Sequence, residues 1–492
     1  MTHIMAIDQG TSSSRAIIFD LNGRILGMGQ RPFDMVFPAD GWVEQVPEVL
    51  WQTTLAAGRE AIANAGLSAS DIDAMGITNQ RETTLVWDRK TGECSHNAIV
   101  WQDRRTAEQC ENMRADGMEQ SVARITGLVV DPYFSSTKLA WLLANVAGLR
   151  ERAKRGELCF GTVDSFLIWR LTQGKRHVTD ASNAARTMLF DIGSQCWSDE
   201  LLAYLDVPVT LLPEVLDCAG DFGVADAEWF GAPIPILGVA GDQQAALIGQ
   251  GCFLPGMTKS TYGTGCFVIA NTGKRQLVSQ QQLLATVGYR LQGETTYALE
   301  GSIFVAGASI KWLRDNLGLI DDAAESGHAA VRCAGDTGGV YVVPAFTGLG
   351  APHWAPQARG LFSGLTLDTS RDQIVTATLQ SVAFQTAELV AAMGEDGATV
   401  ERLRVDGGMV INDWLCQFLA DVLDLAVQRP VITETTALGA AMLAALGGGF
   451  VANLEDAAAL WNLEKEFLPG MAPERRAELL TGWQRAVAKA LL

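Results

Sequence analysis

A carboxylate beside a glycine-rich turn, in the middle of the chain, is the first feature that could do chemistry. Asp242 follows the apolar run of residues 234–239, so the sequence predicts an acidic side chain at the carboxyl end of a buried strand. Two later apolar stretches are joined by Gly263-Thr264-Gly265, where backbone N–H groups can turn toward an anion. A carboxylate near an anion-binding turn indicates phosphate chemistry. Asp242 is therefore the first candidate for a catalytic base.

A hydroxyl-rich turn near the start of the chain supplies a second set of donors. It contains Thr11, Ser12 and Ser13, and Asp8 ends the strand before it. Such a hairpin tip can surround phosphate oxygens, and Asp8 can hold Mg²⁺ through water. An ordinary polar turn explains the same residues equally well. Because the arrangement returns in the second half, the two hairpins together could hold one polyphosphate from both sides.

A third glycine-rich turn follows the apolar strand of residues 403–405. It contains Gly407 and Gly408, and the next helix is predicted to begin near Asn412. Glycines let the backbone approach a flat nucleoside, although a plain strand-to-helix turn would use the same residues. Each glycine motif alone is a weak signal, but their order along the chain is specific.

Charged neighbours in the first half could bind a small polyhydroxylated molecule. Arg81 and Glu82 lie in a polar turn between predicted strands at residues 74–78 and 85–87. A surface ion pair is the usual explanation for such neighbours. In a polyol site, by contrast, the carboxylate would accept hydroxyl protons and the guanidinium would donate to the oxygens. Both interpretations remain open at this point.

Two aromatic residues also allow two interpretations. Trp101 and Tyr133 each stand just before a predicted helix. Large aromatic side chains most often belong to the core. They can equally form the apolar walls of a polyol site, where Tyr133 adds a hydroxyl group.

The elements that must position these side chains divide into two groups. With 492 residues the chain is too long for one ordinary core and should divide into at least two domains. We predict domains over residues 1–250 and 251–492, so that Asp242 lies near the end of the first and Gly263-Thr264-Gly265 near the start of the second. We predict long helices at residues 47–64, 304–316, 371–393 and 473–491. Gly307 and Lys311 lie one turn apart on one face of the second of these helices.

The composition excludes several classes of partner. A net charge of −19 argues against nucleic acid and anionic membrane surfaces, since both require a basic patch. The nine cysteines are never spaced as a metal or redox pair, which is typical of reduced thiols in a cytoplasmic protein. No signal segment is expected at the N-terminus. The apolar tract of residues 436–451 is rich in Ala and Gly and predicts a closely packed helix, not a membrane span.

The order of these motifs resembles that of the sugar and polyol kinases of the actin-like ATPase superfamily, and within it the branch that phosphorylates glycerol. The resemblance covers nearly the whole chain. It is carried by residues 8–15 (DQGTSSSR), 79–83 (NQRET), 101–105 (WQDRR), 241–246 (GDQQAA), 261–265 (TYGTG) and 405–408 (VDGG). The Arg81-Glu82 pair is the most discriminating, because that position differs in the ketose and pentose kinases of the family.

The resemblance implies a fold of two actin-like (ribonuclease H-like) domains, with mixed sheets flanked by helices and a cleft between them. It also implies ATP-dependent phosphorylation of glycerol to glycerol 3-phosphate, with Asp242 as general base and Mg-ATP in the cleft. The implied polyol contacts are Arg81, Glu82, Trp101, Tyr133, Asp242, Gln243 and Phe267. The implied nucleotide contacts are Thr11, Ser12, Ser13, Arg15, Thr264, Gly307, Lys311, Gly408 and Asn412, with Asp8 on the magnesium side.

By the same resemblance the protein is expected to form a homo-oligomer, a dimer or a tetramer, with no nucleic-acid partner and no membrane insertion. Lys311 stands where the family pattern often has glutamine. Two other functions are compatible with the motifs: a kinase for another short polyol or a ketose, and an actin-like ATPase without kinase activity. An ATPase without kinase activity would not require the residues proposed to bind the acceptor, which are Arg81, Glu82, Trp101, Tyr133 and Asp242.

Overall fold

Two mixed β-sheets flanked by helices organise the structure, a computed structural model that describes residues 2–492. The strands up to residue 250 are β1 His3–Gln9, β2 Ser13–Asp20, β3 Ile25–Pro32, β4 Glu44–Gln45, β5 Ala74–Asn79, β6 Leu85–Asp88, β7 Ala98–Ile99, β8 Leu158–Gly161, β9 Val178–Asp180, β10 Phe190–Asp191, β11 Cys196–Trp197, β12 Glu214–Leu216, β13 Val224–Ala225 and β14 Ile234–Gly241. The helices there are α1 Pro47–Ala65, α2 Ala107–Ala115, α3 Glu119–Thr126, α4 Ser135–Asn145, α5 Leu149–Lys154, α6 Val163–Leu171, α7 Ala181–Ala184, α8 Asp199–Tyr204, α9 Ala227–Phe230 and α10 Asp242–Gly249.

The rest of the chain adds a second set of elements. Its strands are β15 Met257–Tyr262, β16 Cys266–Gly273, β17 Leu284–Leu291, β18 Glu294–Ile303, β19 Tyr341–Val343, β20 Leu361–Ser363, β21 Arg402–Asp406, β22 Val427–Pro430 and β23 Leu463–Phe467. Its helices are α11 Gly307–Asp315, α12 Glu325–Arg332, α13 Arg371–Glu395, α14 Asp413–Leu423, α15 Thr435–Gly447, α16 Leu454–Ala458 and α17 Pro473–Ala490.

The two sheets repeat one strand order. In the first sheet β3, β2, β1, β5 and β14 lie side by side, and in the second β18, β16, β15, β21 and β22 do so. In each set the first three strands are antiparallel and the remaining pairings are parallel. The hairpins β1–β2 and β15–β16 therefore occupy equivalent positions. The predicted fold class, mixed sheets flanked by helices in a two-domain chain, is confirmed.

The side chains of β1 show how the first sheet is covered on both faces. Successive side chains of a strand point to opposite faces. Met5 and Ile7 pack in the core beneath α1, whereas Ile4 and Ala6 pack in a separate core with α15. The first sheet is thus a buried layer between helices. Because both of its faces are covered, a ligand can approach it only at the ends of its strands.

The helix α15 comes late in the sequence but lies on the first sheet, against β14, β5, β1 and α10. Gly249 of α10 and Gly439 of α15 make this contact possible. An added Cβ would lie 1.9 Å from the carbonyl oxygen of Thr435 in one case and 1.8 Å from that of Ala245 in the other. The prediction of a closely packed helix here is confirmed, and in residues 2–492 no helix is both long and apolar enough to cross a membrane.

Most predicted boundaries agree with the structure. Helices α1, α13 and α17 match their predicted ranges to within two residues. The predicted start of a helix at residue 304 is wrong, because β18 runs to Ile303 and α11 begins only at Gly307. All nine cysteines are free, as expected.

Asp164, a buried carboxyl group behind the first sheet, leads to a prediction about stability. Burial raises the pKa of Asp164 to about 7, and neighbouring Asp180 adds to the rise. The folded state therefore keeps a proton that the unfolded state, with a pKa near 3.8, releases. Stability should fall as the pH rises from about 4 to about 7. We expect Asp164→Asn, which cannot ionise, to show a smaller change in Tm between pH 5 and pH 8 than the unchanged protein.

The exposed carboxylate Asp206 supplies the control for this measurement, since Asp206→Asn should leave the pH dependence of Tm as it was. Equal pH dependence in Asp164→Asn and the unchanged protein would contradict the prediction.

Candidate active site

Asp242 occupies the first position of α10, directly after β14 ends at Gly241, as predicted. Its side chain is 31% exposed, and its Oδ1 accepts a hydrogen bond from the backbone N–H of Gln243 at 2.7 Å. The Gly241 N–H donates to the hydroxyl of Ser182 at 3.0 Å, which anchors the strand end. An open carboxylate on a fixed backbone has the properties that a general base needs.

Arg81 is buried beside Asp242 and bonds in three directions. Its Nε lies 3.0 Å from Oδ1 of Asp242, and its Nη1 donates to the Gln244 side chain at 3.2 Å. Its Nη1 and Nη2 donate to the two carboxylate oxygens of Glu300 at 2.5 and 3.0 Å. The surface ion-pair interpretation of Arg81 and Glu82 is wrong, since both side chains are buried and their closest charged atoms are 3.9 Å apart. Arg81 instead connects the candidate base to the second sheet.

Glu82 has a different partner. Its backbone lies in the left-handed region, with φ 62°, and its carboxylate accepts from Nε of Arg186 at 2.7 Å. Arg186 also donates to Glu300 at 3.1 Å. Burial raises the pKa of Glu82, and the two arginines offset this only in part. Burial opposes the charge on Glu300 as well, but Arg186 and Arg81 outweigh it and lower the pKa of Glu300 to about 2.

Trp101 and Tyr133 form one wall beside these charges. Their rings meet edge to face with centroids 5.5 Å apart, and both residues are partly exposed. The Trp101 indole N–H donates to the Thr11 hydroxyl at 3.0 Å, which joins this wall to the first hairpin tip. The Tyr133 ring also faces the Arg186 guanidinium at 5.7 Å. Neither residue is therefore a fully buried core residue, although Tyr133 also packs against a core cluster.

The second hairpin reaches the same region through Lys259, a buried residue of β15. Its ammonium group donates to the side-chain oxygen of Gln243, to the Thr261 hydroxyl at 3.0 Å and to the Phe267 carbonyl at 3.4 Å. Burial lowers the pKa of Lys259. Gln243 and Phe267, predicted from distant parts of the sequence, thus meet at one ammonium group.

Each hairpin tip is closed by a backbone hydrogen bond, across four residues in the first and three in the second. The Gly10 N–H donates to the Ser13 carbonyl and the Gly263 N–H donates to the Gly265 carbonyl, both at 2.9 Å. Ser12, at the first tip, is exposed. Gly263 and Thr264, at the second tip, are exposed as well, so both tips are accessible to an anion.

The second tip also docks onto the start of α11. The Gly307 N–H donates to the Gly263 carbonyl at 3.0 Å, while Ala306 and Ala308 donate to the Thr264 carbonyl at 2.9 and 3.0 Å. A Cβ on Gly307 would lie 2.6 Å from the Gly263 carbonyl oxygen, so only glycine fits there without a shift. These bonds explain why the helix begins at Gly307 and not at residue 304.

Asp8 stands opposite Arg15 in the register of the first hairpin. Arg15 forms an ion pair with Glu434, which precedes α15. Burial raises the pKa of Asp8 to about 7; Arg15 opposes this, and Asp242 and Glu434 add to it. Asp8 thus lies within the electrostatic range of the candidate base.

The donor set around Asp8 fits magnesium. In residues 2–492 no group of three or more His, Cys, Asp or Glu side chains is placed to hold a metal ion. Mg²⁺ does not need such a cage, because it is commonly bound by one or two carboxylates together with water and substrate phosphates. One carboxylate beside the first hairpin tip, within electrostatic range of Asp242, is compatible with that mode of binding.

Three of the predicted nucleoside contacts, Gly307, Gly408 and Asn412, lie around the third glycine turn. Gly408 opens a short 3₁₀ turn, and Asn412 accepts the Leu415 N–H at 3.2 Å as the N-cap of α14. A Cβ on Gly307 would lie 3.4 Å from the Met409 sulfur, so the α11 start and this turn are neighbours. Lys311 is exposed and makes no hydrogen bond or ion pair within the described part of the chain.

Comparison with known proteins identifies the family. Residues 3–249 match the N-terminal domain of the FGGY family of carbohydrate kinases, and residues 258–447 match the C-terminal domain of that family. The chain belongs to the FGGY family of carbohydrate kinases. The two matches end close to the ends of α10 and α15, the helices that cross at glycines in this FGGY kinase.

Several relatives of this FGGY kinase resemble it over their whole length. Glycerol kinase 1 of Pseudomonas aeruginosa is 59% identical, with 99% of each chain covered, and the glycerol kinase of Marinomonas sp. is 58% identical, also with 99% of each covered. The crystal structure of Plasmodium falciparum glycerol kinase with ADP superposes with a TM-score of 0.93. It is 34% identical, and the match covers 100% of this chain and 99% of that one.

Sequence reasoning missed three charged residues of the site, Glu300, Arg186 and Lys259. Glu300 follows an Ala-Leu pair within a strand, and Arg186 stands between two alanines and the run Thr-Met-Leu-Phe. Buried charges are almost always paired. A single charged residue in an apolar stretch of this FGGY kinase therefore indicated a nearby residue of opposite charge. The sequence could not identify that residue.

Proposed function

We propose that this FGGY kinase transfers the γ-phosphoryl group of Mg-ATP to glycerol and produces glycerol 3-phosphate. One observation carries the proposal: the Arg81 guanidinium lies 3.0 Å from the open Asp242 carboxylate, in a chain that is 59% identical to a glycerol kinase. A cationic hydrogen-bond donor beside a carboxylate supports the proposal. A polyhydroxylated acceptor needs both groups.

In this proposal the glycerol site is built around the buried charges. Arg81 and Glu82 bind the hydroxyl groups that do not react, and Tyr133 and Gln243 complete the polar contacts. The carbon chain lies against apolar walls, Trp101 and Phe267. This arrangement leaves one terminal hydroxyl directed toward Asp242 and the hairpin tips.

Transfer begins when Asp242 accepts the proton of that terminal hydroxyl. The oxygen then forms a bond to the γ-phosphorus as the bond from the phosphorus to the β-phosphate oxygen breaks, which leaves ADP. Thr11, Ser12, Ser13, Arg15 and Thr264 donate to the phosphate oxygens. Asp8 would hold Mg²⁺, which supplies positive charge to the phosphates.

The nucleoside is proposed to lie among Gly307, Lys311, Gly408 and Asn412. This division assigns the acceptor mainly to a domain of residues 1–250 and the nucleotide mainly to a domain of residues 251–492, with a cleft between them. Closure of the cleft would exclude water, which is otherwise a competing acceptor. We further propose that the enzyme works in the cytoplasm as a homo-oligomer, a dimer or a tetramer.

A coupled assay of ADP release tests the function. We expect glycerol to give a kcat/KM at least about tenfold above dihydroxyacetone, erythritol and xylulose, because the site is matched to a three-carbon triol. ADP release without any acceptor should stay far lower. A preference for xylulose, or ATP hydrolysis that glycerol does not stimulate, would overturn the proposal.

A further inference from the structure

Glu300 is a fully buried carboxylate that belongs to the second sheet but bonds to the first half of the chain. It lies on β18, next to β16, which carries Phe267. Its oxygens accept hydrogen bonds from both terminal nitrogens of Arg81 and from Nη2 of Arg186. Three bonds from two guanidinium groups satisfy this one carboxylate.

The role of Glu300 follows from what Arg81 would do without it. Arg81 also faces Asp242 through Nε and Gln244 through Nη1. A guanidinium is a rigid planar fork, so two bonds to one carboxylate fix both its position and its plane. With a neutral group in place of the Glu300 carboxylate, Arg81 would keep its charge but lose its anionic partner and one of the two acceptor oxygens that hold its outer nitrogens.

Arg186 links Glu300 to Glu82 in the same way that Arg81 links Glu300 to Asp242. It donates to Glu82 through Nε and to Glu300 through Nη2, and the side chains of all three residues are at most 1% exposed. Glu300 is therefore the common acceptor for the two arginines that contact Asp242 and Glu82. A substitution of Glu300 should therefore shift both arginines, and with them the surroundings of Asp242 and Glu82.

We propose that Glu300 is a positioning residue for the acceptor site: from the second sheet it fixes Arg81 and Arg186, and through them the geometry offered to glycerol. The inference rests on the proposed phosphorylation of glycerol and adds a residue that touches neither substrate. Both sheets then contribute to the acceptor site, so the affinity for glycerol depends on the position of β18 relative to Arg81.

Glu300→Gln tests this role, because it preserves the shape of the side chain and removes the charge. One amide oxygen cannot accept what two carboxylate oxygens accept, and the amide N–H₂ would face an arginine donor. We expect the KM for glycerol to rise about tenfold or more, with a matching loss of glycerol affinity in equilibrium binding. The KM for ATP should change by less than about twofold.

Glu294→Gln is the matched control, since Glu294 lies on the same strand and its exposed side chain pairs with Lys274. Both KM values should stay unchanged in that variant. Glu300→Asp keeps the charge but shortens its reach, and it should give a smaller rise in the glycerol KM than Glu300→Gln. If Glu300→Gln does not fold, Glu300→Asp is measured in its place. It should also raise the KM for glycerol more than the KM for ATP.

Equal rises in the two KM values, or an unchanged glycerol KM, would overturn the positioning role. The unchanged protein in the same assay separates this outcome from failure of the proposed function, because glycerol phosphorylation must first be seen there.

Discussion

Asp242→Asn is expected to lower kcat by at least about a hundredfold while the protein stays folded. The carboxylate is the open group at the strand end, and asparagine keeps its shape without its ability to accept a proton. The Gln243 N–H that donates to Asp242 can still be satisfied by the amide oxygen. The measurement is kcat at saturating glycerol and ATP, with Tm and nucleotide affinity recorded for the same protein.

Asp226 offers a closely matched control. It is 30% exposed, against 31% for Asp242, and it also stands at the N-terminus of a helix, where its carboxylate accepts the Glu228 N–H. Asparagine caps helices about as well as aspartate, so Asp226→Asn should leave kcat and Tm nearly unchanged. Near-normal turnover by a folded Asp242→Asn protein would disprove the assignment of the base.

Glu82→Gln is expected to raise the glycerol KM by roughly tenfold to a hundredfold, with the KM for ATP nearly constant. A hydrogen bond to a charged group contributes about 1.5–3 kcal/mol, and each 1.4 kcal/mol corresponds to about a factor of ten. Glutamine is preferable to alanine here. Truncation would leave Arg186 without its Glu82 partner in a buried site, and that alone can cost about 3–5 kcal/mol of stability.

Glu44 supplies the comparison for this variant. It too is a buried carboxylate paired with an arginine, since Arg105 donates to it at 2.8 Å, but it has no proposed contact with glycerol. Glu44→Gln should therefore lower Tm without a selective change in the glycerol KM. If Glu82→Gln raised the two KM values equally, Glu82 could not be the residue that selects the acceptor.

Local patterns in the sequence were enough to locate the main elements of the site. The apolar run before Asp242 predicted a strand end, and the glycines around Thr264 predicted a hairpin tip; both are present. These features depend on residues within a few positions of each other, where side-chain alternation and glycine conformations dominate.

What the sequence left open depended on contacts between distant residues. Arg81 and Glu300 are 219 positions apart, and Arg186 and Glu82 are 104 apart, so no local pattern could pair them. The sequence also did not decide whether Arg81 is exposed or buried, because its burial depends on such distant contacts. The start of α11 was misplaced because its first N–H groups bond to the tip of the second hairpin, which lies far back in the chain.

The repeated strand order makes Asp242 and Glu434 counterparts. Each stands after the last strand of its five-strand set and at the start of one of the two helices that cross at glycines. Each also pairs with an arginine, Arg81 in one case and Arg15 in the other. The second half of the chain thus repeats a carboxylate–arginine pair as well as a strand order. In the proposed mechanism the two pairs have different uses, because Asp242 acts on the acceptor whereas Glu434 holds Arg15, a proposed phosphate contact.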